Sequence, residues 1–77
     1  MKKTISKRVY DTDNAELIKK TTFGLFGDPK GYEETLYKTA DKGYYFLYVN
    51  GGSESPYTKE DIKSISAAKA EEWLKNN

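Results

Sequence analysis

Two runs dense in aromatic and β-branched residues, 32–39 and 43–50, flank the short polar stretch Ala40-Asp41-Lys42. That pattern predicts a β-hairpin turning at Asp41-Lys42. A turn centred there sets opposed residues to numbers summing to 83. Tyr37 then faces Phe46, Thr35 faces Tyr48 and Thr39 faces Tyr44. On the other side Leu36 faces Leu47, Glu34 faces Val49 and Lys38 faces Tyr45. Successive side chains alternate between faces, so this hairpin is apolar on both sides near its centre. The face with Leu36, Leu47 and Val49 is the expected seat for a helix, and the opposite face carries Tyr37, Tyr44, Phe46 and Tyr48.

Upstream, Asp11-Thr12-Asp13-Asn14 gathers side chains that bond their own backbone, which predicts a turn. The following stretch reads two ways. Leu17 and Ile18 fit a helix begun at Thr12, whereas Thr21-Thr22-Phe23 favours a strand. We take 16–26 as a strand. Gly27-Asp28-Pro29-Lys30-Gly31 breaks it, with Pro29 suited to the second position of a type I or II turn. Residues 51–56 form a loop. The C-terminal stretch also allows two readings. Thr58-Lys59-Glu60-Asp61 has capping-box spacing for a helix over 59–75. Alternatively 61–65 is a short strand and Ser66 caps a helix over 67–75, in which Ala70, Trp73 and Leu74 share a face.

The chain has 77 residues, enough for a single domain over 1–77. Residues 1–6 are expected to be a flexible N-terminal arm. It has no cysteine and no histidine, which excludes thiolate chemistry, imidazole bases and the commonest metal ligands. No cofactor or metal is expected. Net charge is +1, too balanced for a globally basic nucleic-acid binder and too balanced for an acidic DNA mimic. No apolar run is long enough to cross a bilayer, and the basic start has no apolar segment after it. A cytoplasmic protein without membrane contact is the expectation.

Carboxylate chemistry finds little support. Glu33 and Glu34 are adjacent on a strand and so on opposite faces. Glu71 and Glu72 sit near the end of the helix. Asp11 and Asp13 lack the spacing of a calcium loop. Gly51-Gly52 and the glycines 24 and 27 lack the context of a phosphate loop. The chain is read as a non-enzyme.

The stretches Lys7-Arg8-Val9-Tyr10-Asp11-Thr12-Asp13 with Ala15, Glu33-Glu34-Thr35-Leu36-Tyr37, residues 43–47 with Gly51-Gly52, and Ile65-Ser66 with Ala70 and Trp73 resemble a family of small uncharacterised proteins of bacteria, their phages and mobile elements. The resemblance supplies no site residues. It implies a strand after the Thr12–Ala15 turn and, from a proline in relatives just before the position of Ile65, a strand ending there. This chain has Ser64 at that proline position. With the resemblance, the expected fold is α+β: an antiparallel β-meander of three or four strands with a C-terminal helix packed on one face.

A single helix covers one side of a sheet. The face with Tyr37, Tyr44, Phe46 and Tyr48 is therefore the candidate protein-binding surface, for a host protein or a second copy as a homodimer. The competing reading is structural: the N-terminal arm or the first strand folds over that face. By analogy, the mobile-element resemblance implies an anti-defence inhibitor that acts by protein contact. The alternative is a weak nucleic-acid-binding domain in which Lys2, Lys3, Lys7 and Arg8 meet phosphates and the aromatic face stacks on bases.

Overall fold

The computed structural model describes residues 1–24, 27–40 and 42–77. Among these described residues, six strands and one helix follow in order: β1 (Lys2–Ile5), β2 (Arg8–Asp11), β3 (Ala15–Phe23), β4 (Tyr32–Thr39), β5 (Tyr45–Gly51), β6 (Asp61–Ile65) and α1 (Ala67–Asn76). Strands β3-β4-β5-β6 form an antiparallel meander, and β1-β2 form a separate two-stranded sheet. The α+β class and the C-terminal helix are as the sequence predicts.

The central register follows the sum of 83, with Tyr37 opposite Phe46, Leu36 opposite Leu47 and Glu34 opposite Val49. Asp41 of the expected turn lies outside the described residues. Beside it, the Gly43 N–H donates to the Thr39 carbonyl at 3.1 Å and the Tyr44 N–H to Thr39 Oγ1 at 2.8 Å. The strand expected over 16–26 runs from Ala15 to Phe23, with Leu25 and Phe26 outside the described residues. Pro29 takes its expected turn position, closed by the Gly31 N–H on the Asp28 carbonyl at 2.9 Å.

At the C-terminus the strand-then-helix reading holds and the long helix does not form. Ser66 is extended and its hydroxyl accepts the Lys69 N–H at 3.2 Å, the geometry of an N-cap. The cap lets the chain leave β6 and fold the helix back over the sheet. Ala70 is 1% exposed and packs with Leu36, Leu47 and Val49, flanked by Tyr45, Tyr57, Ile65 and Trp73. Leu74, expected on this seat, is exposed instead. At the far end of the helix Lys19 Nζ donates to the Asn77 carbonyl.

The arm expected at residues 1–6 is instead a paired strand. β1 joins β2 with Lys3 opposite Tyr10 and Ile5 opposite Arg8, through a turn at Ser6-Lys7. The sheet's second face supplies the reason. Phe46 and Ile62 on that face are buried in one cluster with Tyr10, with Ile5 of the same hairpin packed against it. The apolar surface that the helix cannot reach is thus buried by the N-terminal hairpin.

Candidate functional site

Register builds the second face strand by strand. Leu17 lies beside Tyr37, which lies beside Phe46, which lies beside Ser64. Two residues along, Lys20, Thr35, Tyr48 and Ile62 form the next row. Over part of this surface lies the β1-β2 hairpin. Its Tyr10 ring sits 5.3 Å from Phe46, and Phe46 stacks on Tyr37 at 5.3 Å and 9°. Two polar contacts pin the edges of the hairpin. Lys3 Nζ reaches Asp61 Oδ1 at 2.6 Å, and the Arg8 guanidinium lies 4.0 Å above the Tyr44 ring. Lys3, together with the Ile62 N–H, holds the Asp61 carboxyl below the usual carboxylate range.

The four residues assigned to a contact surface therefore divide. Phe46 is 0% exposed and belongs to the core, which corrects its place on an open face. Tyr37, Tyr44 and Tyr48 are half-buried and frame the hairpin, with Tyr44 beneath Arg8. The Tyr48 hydroxyl donates to Glu60 Oε2 at 2.8 Å. Burial, and then this bond to a carboxylate, pushes its pKa to about 12. Sequence reasoning missed Tyr10, Ile5 and Val9. The available signal was the alternation of Lys3, Ile5, Arg8 and Tyr10 about Ser6-Lys7, which is weak because each strand has four residues.

Beyond the hairpin, the described residues leave the same face open. Lys20, Thr22, Glu33 and Asn50 floor a groove of about 700 Å³ walled by the loops that hold Pro29 and Gly52. Lys20 Nζ and Glu33 Oε2 pair across the floor at 3.2 Å, and Phe23, Tyr32 and Asp28 also line the trough, so it mixes apolar and charged surface. On the other side of the hairpin, Val9, Ala15 and Thr39 line a hollow of about 260 Å³. Val9 and Leu17 are 52% and 53% exposed.

Three of the candidate carboxylates have structural partners. Glu34, on the helix face, accepts the Trp73 indole N–H at 3.1 Å and the Tyr57 hydroxyl at 2.6 Å. Burial, and then this bond, pushes Tyr57 up to about 12. Glu33, on the opposite face, pairs with Lys20. Asp11 accepts the Asp13 N–H at 3.0 Å and the Asn14 amide at 3.0 Å, which fixes the turn into β3. Among the described residues, no group of three or more Asp, Glu, His or Cys could hold a metal ion.

The four cations of the nucleic-acid reading lie on one hairpin but do not share a face. Register puts Lys3 and Arg8 on the side toward the sheet and Lys2 on the outer side opposite Asp11, with Lys7 in the turn. Among the described residues, no helix is long and apolar enough to cross a membrane. Comparison with protein-family models, with curated proteins and with solved structures finds no match.

Proposed function

We propose that this chain is a small protein-binding module that contacts its partner through the uncovered part of the second sheet face. One observation carries the reading: the face is aromatic, but the hairpin roofs only its middle. Tyr37 and Tyr48 remain half-buried at the margin, with Leu17 and Val9 exposed beside it. Such rings offer apolar area with a polar tip, and they are rigid enough to bind without a large ordering cost. The resemblance to mobile-element proteins makes a host protein the partner to seek, with inhibition of a defence system as the working idea.

The test is affinity capture from nuclease-treated host lysate with the native chain and with Tyr48→Arg. That variant sets a cation beside Glu60 and Glu33, so it changes the surface without adding repulsion. Its amide spectrum must match the parent. One protein retained by the native chain and lost by the variant supports the reading. Equal retention by both overturns the surface, and no retention overturns the module.

A further inference from the structure

We infer that two copies of this chain pair through β3, antiparallel, about a two-fold axis between Leu17 and Ile18. β3 is the outer strand of the meander, and no described strand pairs with its free side. A free edge is a template for another strand unless charge or shape guards it. Here the N-terminal half of the edge presents two adjacent apolar side chains: Leu17 is 53% exposed and Ile18 is 38% exposed.

The irregularity in this strand selects the register. Pairing with β4 jumps from Leu17 opposite Tyr37 to Lys19 opposite Leu36, so Ile18 is one extra residue. In a regular strand, residues 16 and 19 lie on opposite faces. The bulge turns them to the same face, since Glu16 aligns with Lys38 and Lys19 with Leu36, two residues apart on β4.

A second copy running antiparallel about that axis opposes residues whose numbers sum to 35. Glu16 then faces the second copy's Lys19, and Lys19 faces its Glu16, all on the helix side. Leu17 faces the second copy's Ile18, twice. Ala15 faces its Lys20 on the other side. Without the bulge, every pair in this odd register would fall on opposite faces. With it, two ion pairs flank an apolar centre of four side chains. Opposite charges across strands stabilise such a pairing, and like charges oppose it. Leu17 borders both surfaces, but the Glu16 and Lys19 side chains lie on the helix side and Tyr48 on the other, so charge swaps at 16 and 19 and the change at Tyr48 let either reading fail without the other.

Sedimentation equilibrium from micromolar to millimolar protein tests the pairing. The native chain is expected to show a reversible monomer–dimer equilibrium. Glu16→Lys and Lys19→Glu are each expected to weaken the dimer about tenfold, by setting two like-charge contacts across the axis. The double variant Glu16→Lys/Lys19→Glu recreates both ion pairs with reversed polarity; it gives up the bond from Lys19 Nζ to the Asn77 carbonyl of its own chain, and with an amide spectrum matching the parent it is expected to recover the native dimer within about threefold. A monomer at every concentration overturns the inference, because the bulge then acts as a guard on the edge. A dimer indifferent to the single swaps, or one that the double variant fails to restore, overturns it equally.

Discussion

Replacing Tyr10 by alanine should release the N-terminal hairpin from the sheet. Tyr10 is 2% exposed and its ring lies against Phe46 and Ile62. Truncating a buried aromatic side chain costs about 3–5 kcal/mol. Ile5 also packs at the edge of this cluster but is only partly buried, and the polar anchors are weak. Lys3 and Asp61 are 40% and 41% exposed, so their pair contributes about 0–1 kcal/mol. Arg8 over Tyr44 adds about 0.5–1 kcal/mol at an exposed site. Against these stands a backbone ordering cost of about 1–2 kcal/mol for each residue, and an isolated two-stranded hairpin is marginal in water. Without the ring, docking fails. For a domain of this size, total stability is of the order of 4–12 kcal/mol, so the loss is a large share of it. Urea unfolding and amide hydrogen exchange on the same samples read the result. The midpoint should fall, and protection in β1 and β2 should collapse while β4 and β5 stay protected. Tyr10→Phe keeps the ring and should behave as the parent. A Tyr10→Ala protein that loses less than about 1 kcal/mol, or whose hairpin amides stay protected, would refute the argument.

Three other expectations follow from local geometry. A Cβ on Gly52 would meet the Pro29 carbonyl oxygen, and it would lie 2.7 Å from the Pro29 carbonyl carbon, so Gly52→Ala should cost about 1–3 kcal/mol in urea melts. Ser6 and Lys7 both adopt positive φ, at 50° and 65°, where a hairpin turn prefers Asn-Gly; Lys7→Gly should therefore raise stability by about 1 kcal/mol in the same assay. Tyr57 has a folded pKa raised to about 12. Burial of the neutral phenol, and then its hydrogen bond to Glu34, thus contribute stability that is fully present below pH ~10 and is lost as pH rises toward about 12. Melts of Tyr57→Phe across that window should lose less than the parent, and a parallel decline would contradict the sign.

Local chemistry made much of the meander legible. Aromatic and β-branched residues around a short polar turn set the Tyr37–Phe46 register. Ser66 is a competent N-cap, yet the residues alone left a helix beginning at Lys59 open. The structure closes that alternative because Ile62 is needed in β6, where it lies 1% exposed beneath the hairpin with Tyr10 and Phe46.

The sequence by itself determined that this chain forms a hairpin apolar on both faces, and that its one predicted helix has a stripe fit to cover only one of them. Those properties follow from the period-two alternation of a strand and the narrow apolar face of a short helix. Tertiary structure alone decided what covers the other face. Residues 2–11 are mostly polar, with strands too short to announce themselves, and they pair because Tyr10 can remove Phe46 and Ile62 from water. The same long-range packing moved Phe46 from candidate surface to core and left β3 as a free edge. Its bulge is defined only by pairing with β4, which local sequence does not encode.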